Sequence, residues 1–153
     1  MANRITRLGT LVLSIVATAC TTIAPTGEDY DHAVDFSHYS TFAFVQHQTP
    51  AIPDPVVTSI ENAIRADLTR RNYRLVSNPD MADFTVDFTL GAPGRPDSRA
   101  LSIDVLDQRS HKTIWHGWSK QDLPEGAPNG SQQPLQPTVV AVLSWFPPGR
   151  LHP

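Results

Sequence analysis

Hydrophobic positions recur along this chain with two different periods. Val57, Ile60, Ile64 and Leu68 follow one another at spacings of three, four and four, which on a helix of 3.6 residues per turn puts them in one stripe. Asp54 before Pro55 predicts the helix start, because the aspartate can accept from the first free amides and proline there lacks only an N–H that has no partner. The end is predicted near Asn72, a residue that tolerates the left-handed capping conformation. Glu61 with Arg65, and Asp67 with Arg71, stand four apart in the favourable order and read as the outer face of this helix.

The second period is two. Phe42 and Phe44 alternate within 41–46, Phe84, Val86, Phe88 and Leu90 within 82–90, and Leu101, Ile103 and Val105 in the next run. A further strand is expected over 112–121, with Ile114, His116 and Trp118 on one face and Trp115 on the other, forming a hairpin with its predecessor through a turn at 107–111. Residues 73–76 read as a short strand, and 77–80, 91–98 and 124–137 as turns or loops rich in proline, glycine and asparagine. Over 138–146 the β-branched residues favour a strand, while Val139, Val142, Leu143 and Phe146 fit a helical stripe. Helix is preferred, with Pro137 in its first turn and Pro147 and Pro148 ending it. Alternating strands mean one packed and one solvated sheet face. The expected fold is therefore α+β, one mostly antiparallel or mixed sheet of four to five strands with two helices packed on one face, in the order β-α-β-β-β-β-α.

The N-terminus has a different character. Arg4 and Arg7 precede an apolar run over 8–19, the n-region and h-region of an export signal. Twelve helical residues at about 1.5 Å each reach about 18 Å, against the roughly 30 Å of a hydrocarbon core, so the run is too short for a stable membrane span. It closes on Val16, Ala17, Thr18, Ala19 and Cys20, with small residues where a signal peptidase must grip and the single cysteine of the chain immediately after. One cysteine makes no internal disulfide, but a thiol at a cleavage junction can carry a diacylglyceryl thioether. The junction resembles the bacterial lipobox, with Ala17 where leucine is commoner. Cys20 is thus the expected lipidation site, carrying palmitate-type acyl chains on a membrane lipoprotein, and 1–19 the signal peptide. Thr21 and Thr22 follow Cys20, whereas lipoproteins retained at the inner membrane usually show aspartate at the second position, so that resemblance implies the periplasmic face of the outer membrane. Residues 20–29, small and polar, read as the lipidated N-terminus and a flexible tether, and 30–150 as a single periplasmic domain.

Loss of Arg4 and Arg7 with the signal leaves ten Lys and Arg against fifteen Asp and Glu, a net charge of −5 with histidine neutral. Nucleic acid is not an expected partner, because its affinity rests on cations that neutralise phosphates. Charged residues at 18% and hydrophobic ones at 40% describe a chain able to build a core.

Several short pieces together resemble the bacterial lipoprotein domain family known as domain of unknown function 4136. They are Tyr30 and Asp31 with Asp35, Phe36, Ser37, Tyr39, Thr41 and Phe42, then the long helix followed by Tyr73, then Ala82, Asp83, Phe84 and Val86. Further along come Ile103, Asp104, Val105 and Asp107, the run Ile114, Trp115, His116 and Gly117, and finally Phe146, Pro147 and Pro148. Departures are Phe44, where the family often has tryptophan, and the proline-rich stretch 124–137. The resemblance implies helices packed on one sheet and the cell envelope as location, and it implies no assigned activity.

Candidate chemistry is sparse. His32, Asp35 and His38 form the densest group of metal-ligand types but lack the spacing of a zinc site, so no metal or other cofactor is expected. No G-x-S-x-G elbow or phosphate-binding glycine loop occurs. His116 and Ser119, three apart on a strand, point to opposite faces, and so do Asp104 and Asp107. No catalytic residue is assigned, and the chain is not expected to be an enzyme. Of the aromatics Trp115, Trp118, Tyr39 and Trp145, the first three are the candidate contact patch, should they prove exposed. The function expected is a lipid-anchored envelope lipoprotein with a non-enzymatic binding or accessory role toward an envelope protein or glycan. Alternatives are a carrier of a small amphiphile between sheet and helices, and an envelope hydrolase of unfamiliar type.

Overall fold

The computed structural model describes residues 26–45, 54–91, 99–123 and 135–147. The stripe Ile60, Ile64 and Leu68 is fully buried, as the inner face of helix α1 (Asp54–Arg70). Asn72 has a φ of 70°. Around it the Tyr73 N–H donates to the Leu68 carbonyl and the Asn72 N–H to that of Thr69, so the last carbonyls are satisfied by a left-handed cap. A second helix, α2 (Leu135–Leu143), packs against α1 with Val139, Val142 and Leu143 buried. It begins three residues before the stretch read as helical, with Pro137 in its first turn.

Six strands form one mixed sheet: β1 (Thr26–Tyr30), β2 (Thr41–Phe44), β3 (Arg74–Leu75), β4 (Phe84–Leu90), β5 (Ala100–Asp107) and β6 (Thr113–Asp122), in the order β1-β6-β5-β4-β2-β3. Pairs β1–β6, β6–β5 and β5–β4 are antiparallel, whereas β4–β2 and β2–β3 are parallel. Among the described residues the architecture is mixed α+β with two helices, as expected, and the strands number six rather than four to five. The added strand is β1, whose residues Thr26 to Asp29 had read as tether. An edge strand draws its hydrogen bonds from one neighbour and needs no hydrophobic alternation, so Thr-Gly-Glu-Asp-Tyr gives no strand signal. Residues 1–25, including the expected signal peptide and Cys20, lie outside the described residues, as do 92–98 and 124–134, where loops were expected. No helix among the described residues is long and apolar enough to cross a membrane.

The face of β6 departs from simple alternation. Leu106 pairs with Thr113 and Val105 with Trp115, so Ile114 is the extra residue of a β-bulge and both Ile114 and Trp115 are buried. His116 and Trp118 lie on the opposite, solvated face. The expectation that Ile114 shares a face with them is therefore wrong, because a bulge shifts the phase of the strand by one residue. Trp115 lies over Gly117, where a Cβ would stand 2.2 Å from the indole, and Trp118 lies over Gly27 of β1, where a Cβ would stand 2.5 Å away. Each glycine is the space a tryptophan occupies on its own side of the sheet.

Asp67 corrects a second expectation. Its side chain is 1% exposed rather than on the outer face, ion-paired with Arg70 and with Arg71 at 2.7 Å. Arg71 in turn donates to the Phe146 carbonyl at 2.5 Å, tying the end of α1 to the segment after α2. Phe146 is fully buried, with ring centroids 5.3 to 5.8 Å from those of Trp115, Phe84, Phe36 and Tyr73. This aromatic cluster fills the space between sheet and helices where a carrier's pocket would lie.

Candidate functional site

The connection from β1 to β2 faces the β5–β6 turn across a cleft of about 350 Å³ at one end of the sheet. Val34, Tyr39 and Ile114 line it with apolar surface. Asp31, Asp35 and His38 stand on one rim, and Arg109, Ser110 and Lys112 on the other. Local capping shapes both rims. Asp35 accepts from the Ser37 N–H at 2.9 Å and starts a short 3-10 turn over Phe36–His38, and Asp31 accepts from the Ala33 N–H at 2.9 Å. Across the cleft, Asp107 accepts from the Ser110 N–H at 2.7 Å, and the turn closes on itself with His111 at a φ of 53°.

Two carboxylates and one phenol reach the floor, and all three are engaged. One Asp83 oxygen, Oδ2, accepts from the backbone N–H groups of Ser40 and Thr41 at 2.9 and 2.8 Å and from their hydroxyls at 3.0 and 2.8 Å. The Asp83 N–H donates back to the Thr41 carbonyl at 3.1 Å and to Oγ1 at 2.9 Å. This reciprocal clamp sets the register of the parallel pair, in which Phe42 lies beside Phe84. Burial would raise the Asp83 carboxyl, but these donors outweigh it and hold it below its ordinary range. The Tyr39 hydroxyl donates to Asp107 Oδ2 at 2.9 Å. Burial first, and then this bond to a carboxylate, push the tyrosine up to about 12. Burial likewise opposes ionisation of Asp107, yet bonds from Ser110, Tyr39 and Arg109 keep it below the usual carboxylate range. Asp35, bonded by Ser37, is lowered too.

The candidate contact patch does not form. Trp115 is 1% exposed and its Nε1 donates to Glu28 at 3.0 Å, so it belongs to the core; its neighbour Gly117 leaves the space for the ring. Trp118 lies on the open sheet face, where His116 stacks on it at 5.2 Å and bonds Asp104 at 2.7 Å. Tyr39 is in the cleft, at the end of the sheet. Of the histidine group, His38 pairs with Asp35 at 3.1 Å, whereas His32 turns away to the Tyr30 ring, 4.2 Å between centroids. Among the described residues no three His, Cys, Asp or Glu side chains are placed to hold a metal ion. Ser119 is buried, its hydroxyl accepting from the Leu101 N–H at 2.9 Å, away from His116. The cleft itself escaped sequence reading, because its walls come from segments separated by about seventy residues and from a turn. Its one legible signal was the density of Asp and His at 31–38.

Most residues that carry the family resemblance prove architectural: Asp83 with Thr41, Tyr39 with Asp107, Trp115 over Gly117, and the Phe146 cluster. No curated protein matches the chain in sequence. Among solved structures, a protein of the DUF4136 family from Bacteroides thetaiotaomicron is similar at a TM-score of 0.62 and 10% identity, covering 82% of this chain and 97% of that one. A PDZ domain protein from Parabacteroides distasonis is similar at a TM-score of 0.58 and 15% identity; the match covers 84% of this chain, which spans only 36% of that protein's length. At such identities the likeness is one of fold alone. The family model for DUF4136, a domain of unknown function, matches residues 26–148, beginning at the first residue of β1, and the chain belongs to that family.

Proposed function

We propose that this chain is a bacterial envelope lipoprotein, anchored through acyl chains on Cys20 at the periplasmic face of the outer membrane, and that its domain binds an envelope protein or glycan rather than catalysing a reaction. The anchor is supported by the sequence junction at 16–20 and by the single cysteine placed there. Three acyl chains on one residue would hold it in a bilayer essentially permanently. The binding role is carried by one observation: the floor groups of the cleft, Asp83, Asp107 and Tyr39, are committed to holding its walls, while charges of both signs stand on the rims. A general acid or base needs a proton it can exchange near neutral pH, and on the floor a tyrosine pushed up to about 12 beside carboxylates held low supplies none, while the one imidazole lining the cleft, His38, stands exposed on the rim and paired with Asp35. The filled space between sheet and helices gives the carrier alternative less support.

Two measurements test this. In cells fed labelled palmitate, the wild-type chain takes up label and is processed, whereas Cys20→Ser takes up none and accumulates as the longer precursor. Normal processing and unchanged fractionation of Cys20→Ser would remove the anchor. For the binding role, a photo-crosslinking residue at Ser110 on the cleft rim should give a discrete adduct that the same residue at Thr69 on α1 does not. Identical patterns from both positions would count against the cleft.

A further inference from the structure

The surface beside β1 combines exposed apolar side chains with a stretch free of charge. From 135 to 147 there is no Asp, Glu, Lys or Arg, although the chain carries 27 such residues in all. Exposed positions in this stretch are Gln136, Pro137, Val140 and Trp145, with Val140 at 36% and Trp145 at 53% exposure. Trp145 is the most exposed tryptophan among the described residues, and it is held in place: its Nε1 donates to Thr26 Oγ1 at 3.1 Å. Thr26 is the first residue of β1, six positions after Cys20, so an extended connection between the two reaches at most about 20 Å.

We infer that the Val140–Trp145 face is a lipid-contact surface that lays the domain on the bilayer leaflet holding the Cys20 acyl chains. This rests on the lipid-anchored reading above and specifies which side of the domain meets the membrane. The short connection brings the neighbourhood of Thr26 to the headgroups before any other part of the fold. Trp145 is bonded to Thr26 itself, so the indole arrives with it. An indole is suited to that depth, since its ring is apolar and its N–H needs a polar partner, here Thr26. The absence of charge over 135–147 matters equally, because none of this stretch's own side chains is an ionic group that must lose water when the face settles among headgroups. The other exposed apolar side chains, Met81 and Leu75, lie toward the opposite edge of the sheet and are not near this attachment point.

The test uses the full lipidated protein reconstituted in phosphatidylcholine vesicles, with and without lipids brominated high on the acyl chain. Flotation with the vesicles is scored first, and quenching of tryptophan emission second. Wild type should float and be quenched, and Trp145→Phe should float equally while its quenchable emission falls by about two-fold or more, as expected for an interfacial indole. Val140→Glu, which keeps every tryptophan, should also reduce quenching, and Met81→Glu should not. Floating protein with equal quenching in wild type and Trp145→Phe would overturn the lipid-contact surface while leaving the anchor intact. Protein that fails to float would overturn both. Loss of Trp145 accessibility with rising protein concentration in detergent, independent of bromine, would assign the face to a second copy of the chain instead.

Discussion

Phe146→Ala is expected to lower the stability of the domain by about 4 kcal/mol, at the upper end of single core substitutions. The ring is fully buried and packs against Phe36, Tyr73, Phe84 and Trp115, which come from the β1–β2 connection, the end of α1, β4 and β6. These groups belong to different elements of the fold, so they have no common way to collapse into the space a methyl group leaves. The Arg71 bond is made to the Phe146 carbonyl and survives the substitution, so the loss reports packing alone. In urea, at a slope of roughly 1.5 kcal/mol per molar, the midpoint should fall by about 2.7 M with the slope unchanged. A fall below about 0.7 M, about 1 kcal/mol at that slope, would mean that the cluster is not the centre of the core.

Asp83→Ala should cost about 3 kcal/mol, because it leaves the N–H groups of Ser40 and Thr41 and two hydroxyls without the acceptor they share. The effect should also depend on pH. The folded Asp83 carboxyl lies below its ordinary value of 3.8, so the unfolded chain takes up its proton first as acid is added. Its contribution is complete above the unfolded value and disappears as pH falls through the lower folded one. Asp107 is shifted in the same direction and adds to the loss. Wild-type melting temperature should therefore drop steeply below about pH 4, and the drop should be shallower in Asp83→Ala, the two curves converging in acid. Parallel curves for the two proteins would show that the clamp does not hold the fold through its charge.

What the sequence disclosed follows from how strongly each element advertises its environment. The stripe at 57, 60, 64 and 68 and the alternations of β4 and β5 each bury one face, and a half-buried element shows its period. Asp67 was misplaced because an i,i+4 ion pair looks the same in sequence whether solvated or buried. Its position three after Ile64 and next to Leu68 puts it at the margin of the buried stripe, which was the better guide. On β6, a bulge at Ile114 leaves no residue type as a marker, so the face of every earlier side chain was ambiguous by one position. The site was less legible than the fold. Tyr39, Asp83 and Asp107 look like candidate chemistry by residue type, and only the hydrogen-bond geometry shows that they hold the walls of the cleft together.

The placement of β1 also sets a timetable. Thr26 pairs with Ser119, so the earliest strand among the described residues finds its partner 93 residues later. Exported N-terminus first, as the proposed signal implies, β1 has both of its edges open until those residues have followed it across the membrane. A waiting strand is an invitation to neighbouring chains, and Glu28 and Asp29 in the middle of it are the kind of charged pair that discourages such pairing. The same two acidic residues that hide β1 from hydrophobic pattern reading thus disfavour its pairing with a neighbouring chain while its own β6 is absent.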